Sequence, residues 1–140
     1  MKYLLDTCVI SEAIKTKPDH QVIAWLAAQQ QDNLYLSVLT FGEIEKGIEK
    51  LAQGKRKNKL RLWIKEDLKQ QFAHRILPID TEAAIVWGRI QGQSEKHGRP
   101  LPAIDSLIAA TALAHHYVLV TRNITDVASA VETFNPWESR

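Results

Sequence analysis

The chain has 140 residues, of which 45% are hydrophobic and 24% are charged, and its formal net charge is only +2. This is an ordinary globular composition, so we expect residues 1–140 to form one domain around one core. The charges are too evenly balanced to indicate nucleic-acid binding by themselves. The single cysteine, Cys8, excludes an intrachain disulfide, and no apolar stretch is long enough for a signal peptide or a membrane span. We therefore expect a cytoplasmic protein.

Short apolar runs predict the strands, and apolar residues at helical spacing predict the helices between them. In chain order, the predicted strands cover residues 3–5, 34–38, 76–79, 117–121 and 132–134. The predicted helices cover residues 9–14, 22–27, 40–53, 55–73, 81–97 and 102–114, with a short helix after residue 123. This alternation is typical of an α/β fold with a mostly parallel sheet and helices on both faces. The helical pair between residues 42 and 73 lies outside a simple alternation of strands and helices, and we interpret it as an arm or a partner-binding surface.

Four acidic residues lie where the predicted strands end. Asp6 directly follows the first strand, and Glu43 lies in the first turn of the helix after the second strand. Asp105 lies in the first turn of the helix that begins at Pro102, and Asp126 comes just after the fourth strand. Because active sites of parallel α/β folds lie beyond the carboxyl ends of the strands, we expect these side chains to share one edge of the sheet.

Carboxylates that converge in one pocket raise one another's pKa, and a divalent cation removes this repulsion. Mg²⁺ prefers carboxylate and water oxygens and keeps positions open for phosphate. A cation of this kind lowers the pKa of bound water and neutralises a phosphate during in-line displacement. The acidic residues therefore predict a metal-dependent nuclease that hydrolyses phosphodiester bonds.

Each of these residues also has a purely structural interpretation. Asp6 is a suitable cap for the first helix, and Thr40 with Glu43 matches the capping-box pattern S/T-x-x-E. Asp105 favours a helix N-terminus through the helix dipole, and Asp126 suits a turn. Taken singly, the structural interpretation is preferable at each position, whereas their joint occurrence at strand ends favours a site.

The chain resembles the PIN-domain family, in particular the VapC-like and FitB-like toxins of bacterial toxin–antitoxin pairs. The resemblance extends over nearly the whole chain and is carried by five blocks: LLDTCVISE (4–12), TFGEIEKGI (40–48), DSLIAATA (105–112), VTRNITD (120–126) and FNPW (134–137). It implies a PIN-like αβα sandwich with a central sheet. It also implies an endoribonuclease that uses Mg²⁺ or Mn²⁺.

The resemblance assigns roles to particular positions. The main acidic positions of the family, which bind metal and support catalysis, match Asp6, Glu43 and Asp105, and a more variable fourth position matches Asp126. Two polar positions beside the site match Thr7 and Thr121, where a hydroxyl can hold a metal-bound water or a phosphate oxygen. Arg122 adjoins Thr121, so we also expect it to contact substrate phosphate.

The resemblance further implies partners for the protein. Proteins of this type usually form dimers, are inhibited by a small antitoxin, and often contact operator DNA through that antitoxin. An alternative interpretation is a binding module with little cleavage of its own, in which the helices between residues 40 and 73 receive a partner helix. One departure from the family pattern is Cys8, which stands where asparagine is common. A thiol supports a neighbouring carboxylate poorly because it is a weak hydrogen-bond donor.

Overall fold

The computed structural model describes residues 1–123 and 131–138. Its strands are β1 (Tyr3–Leu5), β2 (Leu34–Ser37), β3 (Ile76–Leu77), β4 (Val118–Val120) and β5 (Thr133–Phe134). The helices of this part of the chain are α1 (Thr7–Ala13), α2 (His20–Ala28), α3 (Val38–Glu49), α4 (Lys55–Leu62), α5 (Lys69–Gln71), α6 (Thr81–Lys96) and α7 (Ala103–His115). A 3₁₀ turn (Gln31–Asn33) precedes β2, and a π-helical stretch (Trp63–Leu68) joins α4 to α5.

The strands form one parallel sheet in the order β3-β2-β1-β4-β5. β1 is central, and its Leu4 pairs with Tyr35 of β2 on one side and Leu119 of β4 on the other. The predicted α/β fold with a parallel sheet is therefore confirmed. Because every pairing is parallel, the carboxyl ends of all five strands lie at the same edge of the sheet.

Side chains of the central strands alternate between two apolar cores, one on each face of the sheet. Leu5 of β1 packs on the face covered by α1, α2, α3 and the α4–α5 region. Its neighbour Leu4 packs on the opposite face with Ile108 and Ala112 of α7. These two faces match the two-sided arrangement expected from the alternation of strands and helices. Among the described residues, none of the helices combines the length and the apolar character needed to cross a membrane.

The N-terminus of α3 differs from the prediction. This helix begins at Val38, and the Ser37 hydroxyl caps it by accepting the Leu39 backbone N–H at 3.0 Å. Thr40 is therefore already inside the helix, and Glu43 lies in its second turn and not in its first. The capping-box interpretation of Thr40 and Glu43 is wrong, because the strand runs directly into the helix and Ser37 supplies the cap. This leaves both side chains free for other contacts.

The predicted helix over residues 55–73 is confirmed as a helical stretch, in which the π-helical residues connect α4 to α5 without a break. Its apolar stripe faces the core. Ile64 and Leu68 are buried, and Leu60 and Trp63 pack against them in partly buried positions. The segment is thus an integral layer of the fold and not a projecting arm.

Candidate active site

The ends of β1 and β4 bring Asp6 and Thr121 into direct contact. Leu5 pairs with Val120 in the sheet, and the Asp6 backbone N–H donates to the Val120 carbonyl at 2.9 Å. The next residue, Thr121, donates its hydroxyl to Asp6 Oδ2 at 2.7 Å. Thr121 is fully buried and Asp6 is 8% exposed. Two strand ends that lie far apart in sequence are therefore joined by this contact, which places Thr121 directly beside Asp6.

Asp6 also begins α1. Its Oδ1 accepts the Thr7 backbone N–H at 2.8 Å, as an N-cap residue does. The capping interpretation of Asp6 is thus confirmed, and the cap leaves the carboxylate in contact with Thr121 at the carboxyl edge of the sheet. Within the described part of the chain Oδ1 accepts only the hydrogen bond from Thr7, and Oδ2 accepts the Thr121 hydroxyl and a weak contact from the Cys8 thiol at 3.7 Å. This leaves one lone pair on Oδ1 open and one on Oδ2 only weakly occupied, so both oxygens can bind a further partner.

A second group of polar contacts connects α1 to α3. The Thr7 hydroxyl donates to Glu43 Oε1 at 2.6 Å and lies 3.0 Å from the Thr40 hydroxyl. Thr7 has a single hydroxyl proton, so when it donates to Glu43 the Thr40 hydroxyl donates to Thr7. Thr40 and Glu43 are three residues apart, which places them on the same face of α3. Thr40 is fully buried and is a supporting residue that the sequence analysis had interpreted only as a cap.

The electrostatic environment of Asp6 links it to two further carboxylates. Burial raises the pKa of Asp6, and the hydrogen bonds from Thr121 and Thr7 lower it. The charges of Asp105 and Glu43 raise the pKa of Asp6 further, so both carboxylates lie close enough to repel it. Asp105 lies in the first turn of α7, as predicted, and is half-buried. A cation bound here would relieve both the burial penalty and the repulsion.

The donor set fits a hard divalent cation. Within residues 1–123 and 131–138, no three His, Cys, Asp or Glu side chains stand close enough to form a ready-made metal cage. Mg²⁺ does not need one, because it usually binds through one or two carboxylates and retains several waters. Asp6, with lone pairs available and like charges nearby, has the chemistry of such a ligand. The fourth predicted acidic residue, Asp126, and the short helix predicted after residue 123 lie outside the described residues.

Cys8 makes only weak polar contacts beside Asp6. Its sulfur lies 3.7 Å from Asp6 Oδ2 and 3.8 Å from the Thr121 hydroxyl. Burial, reinforced by the charge of Asp6, raises the pKa of the Cys8 thiol to about 11. The thiol therefore stays protonated at neutral pH and is a poor nucleophile. The hydroxyl of Thr121 provides the strong hydrogen bond to the carboxylate that the thiol does not provide.

Arg122 is exposed and follows Thr121 at the end of β4. Its guanidinium lies 5.1 Å from the centre of the Trp137 ring, which is a cation–π distance. Arg122 was expected beside the site, whereas its contact with Trp137 was not predicted from the sequence. The contact joins residues that are close in space and not linked by any local pattern.

Comparisons with known proteins agree with this fold. The model of the PIN-domain family matches residues 3–125. Toxin FitB of Neisseria gonorrhoeae is 38% identical over 135 residues, which cover 96% of this chain and 97% of FitB. VapC ribonuclease Y4jK of Sinorhizobium fredii is 35% identical over 136 residues, covering 96% of this chain and 97% of that protein. A solved structure of FitAB bound to a DNA fragment matches with a TM-score of 0.91 and 37% identity, covering 99% of this chain and 97% of the matched chain.

The molecule is thus an α/β protein with acidic residues at the carboxyl edge of a parallel sheet. The chain belongs to the PIN-domain family. The resemblance stated from the sequence blocks is therefore confirmed.

The Thr121 hydroxyl provides a direct test of the site geometry. We expect Thr121→Val to lower RNA cleavage by about 10- to 100-fold, the usual effect of removing a group that orients a ligand. Loss of this hydrogen bond also raises the pKa of Asp6, so the acid limb of the pH–rate profile should move to higher pH. Thr111→Val is the matched control, because Thr111 is equally buried and donates only to the Leu107 carbonyl. Equal effects of the two changes would contradict the role of Thr121.

Proposed function

We propose that this chain is a divalent-metal-dependent endoribonuclease, the toxin of a toxin–antitoxin pair, acting as a single domain of residues 1–140. The observation that carries the proposal is the buried Asp6 carboxylate, which is oriented by Thr121 and Thr7 and lies within electrostatic reach of Glu43 and Asp105. The relatives named as a ribonuclease and as a toxin support this reading of the site.

In this proposal Asp6 and Asp105 are the principal ligands of Mg²⁺ or Mn²⁺, and Glu43 binds directly or through water. Asp126 supports a second ion or orients a ligand. The bound ion supplies a water of lowered pKa and neutralises the negative charge of the scissile phosphate. The protein's own groups fix the geometry, because Thr121 holds one oxygen of Asp6 and Thr7 holds Glu43.

The proposed partners follow from the same relatives. The solved structure of FitAB bound to a DNA fragment supports a small antitoxin partner and a contact with operator DNA through that antitoxin. We further propose that the protein works as a homodimer or a higher assembly. Because the proposed substrate is RNA, we also propose that the protein acts in the cytoplasm.

Asp105→Asn tests the proposal, because it removes a charge while changing the shape of the side chain very little. We expect the purified wild-type chain to cleave RNA internally in the presence of Mg²⁺. The Asp105→Asn variant should lose this activity by on the order of a hundredfold, as the site loses one negative ligand. Transcripts cleaved after controlled expression can then be mapped by sequencing their ends, with the variant as the reference.

The matched control is Asp67→Asn, the same chemical change at an exposed position in the π-helical stretch between α4 and α5. It should cleave as the wild type does. Products that persist unchanged in Asp105→Asn would assign the cleavage to something other than this site. Absence of cleavage by the wild-type chain, with antitoxin binding retained, would favour the binding-module alternative.

A further inference from the structure

The side chain of Trp137 lies between an anion and a cation. Its indole N–H donates to Glu12 Oε1 at 3.3 Å, and its ring carries the Arg122 guanidinium at 5.1 Å from the ring centre. The edge of the ring is thus fixed by a carboxylate while its face holds a cation. The quadrupole of an indole suits this arrangement, because its edge is positive and its face is negative.

Glu12 is a firm anchor for the ring. It is 5% exposed and accepts hydrogen bonds from Lys15 Nζ at 2.9 Å and from the Asp19 backbone N–H at 3.0 Å. The bond from Lys15, followed by that from Asp19, lowers the pKa of Glu12, so the anion persists at neutral pH. The backbone of Trp137 is also held, since its N–H donates to Asn135 Oδ1 at 2.9 Å. The ring therefore has little freedom to move.

The Arg122 guanidinium is the group in this arrangement that can bind a further partner. No carboxylate among residues 1–123 and 131–138 forms an ion pair with it, and its side chain is exposed. A guanidinium has five N–H donors in a planar fork, and stacking on a ring face leaves that fork open to a partner. Thr121, the residue before Arg122, donates to Asp6. The Arg122 side chain is therefore attached to the backbone one residue from the acidic site.

We propose that Trp137 is a positioning residue that holds the Arg122 guanidinium beside the acidic site, where it binds a phosphate of the RNA strand. This inference rests on the proposed function. The acidic site by itself repels the phosphates that flank the scissile bond, so a cation is needed next to it. A guanidinium that is already ordered on a ring loses less freedom on binding than a free side chain does. Its planar fork matches the geometry of a phosphate.

A purely structural role for Trp137 makes a different prediction. In that case the ring only fastens the C-terminal segment to α1, and its loss lowers stability without changing how RNA binding depends on salt. The positioning role predicts that Trp137 affects RNA binding only when Arg122 is present. A double-mutant cycle separates these two roles.

The experiment measures binding of a fluorescein-labelled single-stranded RNA of mixed sequence by anisotropy, in EDTA and over a range of salt concentrations. We expect Arg122→Gln to weaken binding several-fold and to reduce the slope of log Kd against log salt by about 0.7, the contribution of one single-strand phosphate contact. Trp137→Leu should weaken binding in the wild-type background and have no further effect in Arg122→Gln. Trp137→Phe, which retains a ring face, should recover part of the affinity.

Arg89→Gln is the matched control, since Arg89 is an exposed arginine on α6. In Mg²⁺, Trp137→Leu should raise KM for RNA cleavage more than it lowers kcat. Equal losses for Trp137→Leu with and without Arg122, or an unchanged salt slope in Arg122→Gln, would overturn the proposal. If Trp137→Leu does not fold, the RNA affinity and salt slope of Arg122→Gln and Trp137→Phe still test the proposal. RNA binding with the expected cycle but no cleavage in Mg²⁺ would refute the nuclease function and leave this inference standing.

Discussion

Replacing Asp6 with asparagine is expected to reduce RNA cleavage by on the order of a hundredfold or more, about 3 kcal/mol of transition-state stabilisation. Asp6 is the residue on which the contacts of the site converge, because Thr121 and Thr7 each bind one of its oxygens. An amide keeps the shape of the side chain and its oxygen, but it removes the negative charge that attracts a cation. The loss should appear in kcat/KM for a defined RNA substrate.

The fold should survive this change, because asparagine is as good an N-cap as aspartate. Asp19→Asn is a close control, since Asp19 caps α2 through the Gln21 and Val22 backbone N–H groups and lies outside the site. Both variants should unfold near the wild-type temperature, and only Asp6→Asn should lose cleavage. Full activity in Asp6→Asn would remove Asp6 from the catalytic site, and a parallel loss in Asp19→Asn would trace the effect to capping.

The sheet was predictable because its signals are local. A buried parallel strand is a short apolar run, and Tyr3–Leu5 and Val118–Val120 both fit that description. The first residue of a helix was less predictable where two residues near its start are both suitable N-caps. Ser37 and Thr40 are both suitable N-cap residues, and the choice of Ser37 depends on tertiary structure, because Thr40 is buried against Thr7 of another helix.

The same distinction applies to the candidate site. Asp6 and Thr121 could be placed at one edge of the sheet because each lies at the end of a predicted strand. Their direct contact depends on the pairing of β1 with β4, which the sequence pattern does not specify. The roles of Thr40 and Trp137 were not predictable from spacing, because their contacts join segments with no periodic relation. In each case a residue type with an ordinary structural use, a helix threonine or a core tryptophan, acquires its contact only when the chain is folded.

At Asp6 the capping role and the proposed metal-binding role do not compete. The carboxylate caps α1 through Oδ1 and accepts the Thr121 hydroxyl through Oδ2. The cap also fixes the side chain at the carboxyl edge of the sheet. Burial and the nearby charges then raise the pKa of Asp6, which makes the site more favourable with a bound cation than without one.

Removal of divalent cations is expected to abolish RNA cleavage completely, and added Mg²⁺ or Mn²⁺ should restore it. The reason is that the charges of Asp6, Glu43 and Asp105 lie close together, so the site repels the substrate phosphate when no cation is bound. Cleavage of a defined RNA in EDTA, followed by titration with each ion, measures this. Restoration by monovalent salt alone would contradict the proposal.

The same titration has a pH dependence whose direction follows from Asp6. A protonated carboxyl does not bind Mg²⁺, and the pKa of Asp6 is raised by burial, so protons compete with the metal above the usual range of an aspartate. The Mg²⁺ concentration for half-maximal cleavage should therefore be higher at about pH 5.5 than at about pH 7.5.

Mg²⁺ should also raise the unfolding temperature of the wild type, and do so less in Asp6→Asn, because a ligand that binds only the folded state stabilises it. An equal rise in both proteins would place the ion away from Asp6.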